Sequence, residues 1–575
     1  MARRLLRIGD VSPASTSQPP MYVSDAQQLE QVRSGQMISP LGDYLMEWDE
    51  ECLPPSRLEP WRREGDPLSD AVVRELQLRP GQDGLEVLLT YLERPLTDQA
   101  ECVRSFWQEI SHSPPEPISA FPTQSTNIEE ATPRASLQSP TYHPAPTVAQ
   151  GQAVFWRYSA QIFSALLHFS LAGGFSAVRV VNVMRETNYL TGNAKEATYR
   201  RLLETTQAIL DYMNDLTPIT GVGWKSAIRV RMLHSSVRAR LLGKRGVKNE
   251  YDEHVDGIPI NQEDLLATLG SFAIAPLWSL RRMKILLTEE EEEAYVAVWR
   301  HIGFYLGVSP SRLAQYYAGP RPVSHASKLF TCITMHLFDT DNTGIDHRLT
   351  STFRLLSAVA GRPPRYTPIS YHLAISRFLL GDGLADRLAL PRTGTRLVWR
   401  LKVTRWIEWA LVAFGRIYSE RWEVERVACT RILVSMIVCW QLGSRRTKFT
   451  IKTFAADVML PLVVERDSVP EESKGISITG KEEKPIDPDD DEMDPEIQVG
   501  PEAGKKIIGR WRWLLLEMMA ADGASRTIGV AELGEPEHTT PEWQIAWNSR
   551  RAASWNSDWS YNNNLLEPLI AAPVP

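Results

Sequence analysis

The chain has 575 residues, with 43% hydrophobic and 23% charged side chains, 34 glycines and 39 prolines, a globular balance that excludes a collagen-like or wholly disordered chain. The net charge of −7 is uneven: residues 465–502 hold fourteen acids and four bases, which leaves about +3 for the remainder. Neither portion concentrates a basic face, so nucleic acid is excluded as a partner, and five widely spaced cysteines without a CxxC pair argue against a disulfide framework or a cysteine zinc site.

The first segment, residues 1–112, starts with arginines, but Arg7 and Asp10 interrupt the apolar stretch, so no secretory signal is expected and an intracellular location follows, cytoplasmic or at an internal membrane. Short amphipathic pieces such as DAVVRELQL (70–78) and DGLEVLLTYLERPL (83–96) predict small helices there. Residues 113–150 contain eight prolines and only four charged residues and predict a disordered linker, because so little apolar surface cannot offset ordering entropy. Residues 151–464 are strongly apolar and rich in Leu, Ala, Trp and Arg. Their uncharged run YSAQIFSALLHFSLAGGFSAV (158–178) is long enough to span a bilayer, yet Gln161, His168, four serines and a Gly-Gly pair favour a buried core helix over contact with a membrane. A second uncharged run, 432–444, is too short to span. Residues 465–504 predict an acidic linker, and 505–575 an amphipathic helix, KKIIGRWRWLLLEMMAADG, followed by a tail.

Within the central segment the apolar period is helical. Leu202, Thr205, Ile209 and Met213 recur every three or four residues, and Val230, His234, Val237 and Leu241 align on one face of IRVRMLHSSVRARLL, with Arg229, Arg231, Arg238 and Arg240 around the rest. His234 is therefore expected to point inward. Thr288 and Glu291 form a capping box that explains the acidic run 289–293 as a helix start, and Asn261 with Asp264 predicts another. Alternating strand patterns are scarce. The expected fold is all-α, a single large helical bundle with globin-like packing and peripheral short helices.

Metal and nucleotide motifs are missing. No two of the eleven histidines form HxxxH or HExxH; DTDNTGID (339–346) resembles a calcium loop but has Thr350 where the bidentate glutamate belongs; and GxGxxG, GxxxxGK[ST] and GxSxG do not occur. What remains is one inward histidine on an arginine-bordered helix. Such a residue is usually a satisfied core group, but a neutral imidazole also suffices as the single axial ligand of a haem lying in an apolar slot between helices.

The blocks YRRLLETTQAILDYM (199–213), RVRMLHSSVRARLL (229–242), GIPINQEDLLATLGSFA (257–273) and WRHIGFYLGV (299–308), in this order and spacing, resemble the rubber oxygenase catalytic domain family. That family takes in latex-clearing proteins and endoplasmic-reticulum-bound oxygenases of mycophenolic acid synthesis. The resemblance implies a haem b oxygenase that uses dioxygen on an apolar, isoprenoid-like or otherwise unsaturated substrate. It implies that His234 is the proximal haem ligand, that Arg231 and Arg238 of the R-x-x-H-x-x-V-R pattern bind the cofactor, and that Arg201 and Thr205 form the distal, catalytic side. One departure stands out: Glu204 occupies the position of a lysine found just before that threonine in latex-clearing members. Two alternatives remain: a helical membrane-associated or partner-binding protein that keeps the fold without catalysis, and a non-haem metal oxygenase.

Overall fold

The computed structural model describes residues 6–8, 19–40, 44–114, 147–187, 195–243, 251–338, 346–363, 366–442, 447 and 449. One compact unit comprises Met1–Leu442 and Arg446–Lys452, and all described residues belong to it; a second comprises Gly443–Arg445 and Thr453–Pro575. The acidic linker, the 505–523 helix candidate, most of the 113–150 linker and most of the calcium-like string lie outside the described residues.

Four short strands come first: β1 (Leu6–Ile8), β2 (Met21–Val23), β3 (Gln36–Pro40) and β4 (Tyr44–Trp48). They form one mixed sheet in the order β1-β4-β3-β2, with β3 and β4 antiparallel and Ile38 opposite Met46. Sequence reading missed this sheet, since three to five residues are too few to display alternation. It is held to the helical body by burial of Ile8, Val23, Ile38 and Met46 and by Lys328, which bonds Asp49 and lies 2.8 Å from Glu51.

Helices dominate the rest, as expected. In the N-terminal segment these are α1 (Pro55–Leu58), α2 (Pro67–Leu76), α3 (Gly84–Leu92) and α4 (Glu101–Ile110). There follow α5 (Val148–Arg157), α6 (Ser159–Ala165), a π-helical turn (Leu166–Leu171), α7 (Ala172–Gly174) and α8 (Val178–Glu186). The central pair is α9 (Lys195–Tyr212) and α10 (Val222–Gly243), after which come α11 (Glu253–Asp256), α12 (Gln262–Ala273), α13 (Ala275–Arg282) and α14 (Glu289–Tyr305). The series ends with α15 (Pro310–Tyr316), α16 (Pro322–Leu337), α17 (Ser351–Val359), α18 (Ile369–Leu380), α19 (Asp382–Arg387), α20 (Thr395–Tyr418) and α21 (Glu420–Gln441).

Local chemistry sets several of these boundaries. The expected capping box forms, with the Thr288 side chain accepting from the Glu291 amide, and the Asn261 cap extends to a second box, its side chain accepting from the Asp264 amide, each reciprocated. The uncharged run 158–178 is interior, with Ile162 and Ala165 fully buried and Gly173 so close to α18 that a Cβ would meet Leu380 at 2.9 Å. At α5 the approach is tighter still, because a Cβ on Gly151 would stand 2.3 Å from the Ala294 carbonyl of α14. Such contacts, with Trp224, Trp299 and Tyr295 fully enclosed, build one continuous core around α10, α12, α13 and α14.

Candidate active site

Helices α9 and α10 form a hairpin whose turn is tied by Ser226, which donates 2.7 Å to the buried Asp211 carboxylate. Gly223 permits this seam, since a Cβ there would lie 2.5 Å from the Asp211 carbonyl. Eight residues beyond Ser226 is His234, and eight before Asp211 is Leu203. Counted from that seam, His234 and the Arg201 to Thr205 turn are equally far along their helices.

His234 itself is half-buried, and its Nδ1 is shielded from solvent with no hydrogen-bond partner. Burial, and then the neighbouring Arg238 charge, depress its pKa to about 4, so the imidazole is neutral at physiological pH and retains a lone pair. A shielded, unpartnered ring nitrogen is costly unless something else supplies its partner. This residue therefore fits the role of an axial ligand.

The arginines sit differently from expectation. The most buried stripe of α10 runs through Trp224, Arg231, Ser235 and Arg238 rather than through His234, because carboxylates from the N-terminal segment come in to meet it. Arg231 makes a two-pronged contact with Asp66, at 2.7 and 3.1 Å, and a 2.7 Å bond to Glu109, with its guanidinium over the Phe106 ring. Arg238 bonds Asp70 at 2.8 Å, the Ser235 hydroxyl at 2.8 Å and the Ile260 carbonyl at 2.9 Å. Each guanidinium is engaged through all three of its nitrogens, so the pair as placed fixes α10 against α2 and α4. The sequence held no spacing signal for this, since Asp66 and Arg231 are 165 residues apart.

On α9, Arg201 bonds Glu204 at 2.7 Å one turn away, and the Thr205 hydroxyl donates to the Arg201 carbonyl at 3.0 Å. Glu204, where latex-clearing members carry lysine, thus takes up the charge of the adjacent arginine. The flank of α9 carries a small apolar cluster separate from the main core, in which Leu202 packs against Phe175, Val181 and Leu355. The P-I-N-Q-x-D block is a junction. Asn261 caps α12, and Gln262 links the Gly65 and Gly307 carbonyls, each at 3.0 Å, with the Ser309 amide. Ile260 takes a left-handed φ of 53°, rare for a β-branched residue and fixed by the Arg238 bond to its carbonyl.

Two buried histidine pairs escaped the sequence reading because their members are far apart in the chain. His168, on the π-helical turn, donates from Nδ1 to the Ser164 carbonyl at 2.8 Å, so its Nε2 accepts from His372 Nδ1 at 2.9 Å. Burial and the facing His372 hold His168 well below the usual histidine range. His336 Nδ1 lies 2.5 Å from the wholly buried Glu263 carboxylate. Among the described residues no cluster of three or more His, Cys, Asp or Glu side chains is arranged to hold a metal ion. A cavity of about 270 Å³, lined in part by Ser113, Thr147, Arg300 and His301, includes none of the predicted site residues.

Comparison with known proteins agrees with the order of the sequence blocks. Residues 156–410 match the family model described as "ER-bound oxygenase mpaB/B'/Rubber oxygenase, catalytic domain". No curated protein matches the chain. The solved structure of latex clearing protein LCP in the closed state aligns over 66% of this chain and 91% of its own, at 18% identity and a TM-score of 0.38. The family match covers α9, α10 and the α12 junction, so the segment 156–410 is similar to the ER-bound oxygenase mpaB/B' and rubber oxygenase catalytic-domain family.

Proposed function

We propose that this domain is a haem b-dependent oxygenase that acts with dioxygen on an apolar, isoprenoid-like or unsaturated substrate, and that His234 is the protein ligand of the iron. The single observation that carries the reading is the neutral His234 imidazole with its shielded, unpartnered nitrogen. Bound haem supplies iron for oxygen activation, with reactivity set by the axial ligand and by donors on the opposite face. The role of the chain is to keep His234 unprotonated, through burial and the Arg238 charge, and to fix α10 through the Arg231 to Asp66 and Arg238 to Asp70 contacts. Arg231 and Arg238 act in this reading as positioning residues. Arg201 and Thr205 supply hydrogen-bond donors on α9, the first released when Glu204 gives up its guanidinium and the second by turning its hydroxyl from the helix carbonyl. The apolar cluster beside Leu202 provides the greasy flank that such a substrate requires.

The Arg201–Glu204 ion pair supports a second reading, a fold retained without catalysis, because it occupies the one guanidinium assigned to the distal side. The visible spectrum and iron content of the purified protein, native and His234→Ala, separate the two. A Soret band lost or greatly weakened in the variant is the expected result. A colourless native protein that remains colourless after haem is added would sink the oxygenase reading.

A further inference from the structure

Helix α20 turns its apolar stripe outward. Its inner side, with Leu401, Thr404, Arg405, Val412 and Gly415, is buried, and its outer side carries Trp399, Val403, Trp406, Phe414 and Ile417 at helical spacing, with Trp399 71%, Trp406 65% and Ile417 85% exposed. An ordinary surface helix shows the reverse pattern. The charges are also one-sided. Glu408 is the helix's single carboxylate and is bonded to Arg405 at 2.6 Å, whereas Arg396 and Lys402 are exposed and form no ion pair among the described residues. The stripe continues on α21, where Val424 and Trp440 are exposed.

Large aromatic and aliphatic groups bordered by unpaired cations suit the boundary of a bilayer, where rings reach the acyl region and cations meet lipid phosphates. We infer that the outer face of α20 docks the protein onto an anionic membrane surface. A lipid surface fits better than a second copy of the chain, because lipid phosphates supply the anionic partners that Arg396 and Lys402 require and α20 itself offers no unengaged carboxylate. Among the described residues no helix is long and apolar enough to cross a membrane, so the contact is peripheral. It also differs from the site suggested by the uncharged run 158–178, which is interior. The stripe extends past residue 410, where the family match ends, and the inference is independent of whether the domain binds haem.

Co-sedimentation of the full chain with vesicles tests it, using phosphatidylcholine alone and phosphatidylcholine mixed with phosphatidylserine. The expected result is binding to the mixed vesicles that weakens with salt and falls by about tenfold or more in Trp399→Ser/Trp406→Ser. The Arg396→Glu/Lys402→Glu variant should lose the preference for anionic lipid while its thermal unfolding is unchanged, since both side chains are exposed. Absence of binding by the native chain, or equal binding by native protein and both variants, would overturn the inference. So would a native dimer that Trp399→Ser/Trp406→Ser converts to monomer without any vesicle binding, a result that assigns the face to a second copy.

Discussion

Two kinds of side chain on α10 handle charge in opposite ways. Toward α2 and α4, Arg231 and Arg238 are buried, and each has a carboxylate or carbonyl opposite. On the same helix, His234 gives up its charge and keeps a shielded nitrogen without a partner. A complete ion-pair network stabilises a fixed position, whereas an unmet polar atom in the same helix marks where something else is expected to bind. The first kind makes the second possible, because a ligand histidine has to be held rigidly by groups that do not themselves take part.

The largest effect should come from breaking the charged contacts. Asp66→Ala removes the two-pronged partner of Arg231 and also the N-cap of α2, where the Asp66 side chain accepts from the Ser69 amide. Losing one partner of a buried pair costs about 3–5 kcal/mol. Glu109 still pairs with Arg231, so urea unfolding should show a loss toward the lower end of that range, and Asp66→Leu/Arg231→Met should recover part of it. If Arg231→Met instead abolished haem binding at unchanged stability, the division of labour between the two kinds would be wrong.

The neutral histidine predicts a pH dependence. The folded pKa of His234, about 4, lies below the ordinary value of 6.5. Between these values the unfolded chain takes up a proton that the native state refuses, so this residue's contribution to stability falls as pH drops from 6.5 toward 4 and is flat above 6.5. The slope cannot exceed about 1.4 kcal/mol per pH unit. Asp264, raised to about 7 by burial and by Glu263, contributes in the opposite direction, its stabilisation being lost as pH rises through 7. Comparing native protein with His234→Asn across this range cancels Asp264, and a difference that did not grow with falling pH would show that the histidine is charged in the fold.

Much of this was legible in the sequence, and the rest was not, for physical reasons. Helical period gave α9 and α10, a capping box placed the start of α14, and Asn261 as a cap placed that of α12, because these are interactions within four residues. Ordered blocks indicated a resemblance to the family and singled out Arg201, Thr205 and His234. The burial of Arg231 and Arg238 was invisible, since their partners Asp66 and Asp70 sit in another segment and an arginine in an amphipathic pattern reads as solvated. Likewise nothing local joins His168 to His372, 204 residues apart, or shows that the stripe of α20 faces out rather than in.

A smaller effect tests how closely the two helices of the hairpin depend on each other. In Gly223→Ala the new Cβ meets backbone atoms, the Asp211 carbonyl at 2.5 Å and the Tyr212 Cα at 2.8 Å, which cannot swing aside as a side chain would. The seam must open, at about 1–3 kcal/mol by the usual cost of overpacking. The expected readout is a lowered midpoint of thermal unfolding, together with weaker retention of any haem, since the helix that carries His234 would shift. Equal stability with unchanged spectrum would mean that the hairpin turn does not set the geometry of the site.

The smallest effect concerns the Arg201–Glu204 pair of α9. Arg201 is partly exposed, Glu204 is buried, and the two are one turn apart on α9, so their coupling in a double-mutant cycle should be about 1 kcal/mol. Stability and function are therefore read together in the variant. Glu204→Gln keeps the shape of the side chain but removes the charge that holds Arg201. If Glu204 restrains the distal donor, this variant should bind an anionic haem ligand such as cyanide more tightly than the native protein, because a freed guanidinium can then stabilise the bound anion. Unchanged affinity would place Arg201 outside the ligand's reach and leave Thr205 as the donor on that side.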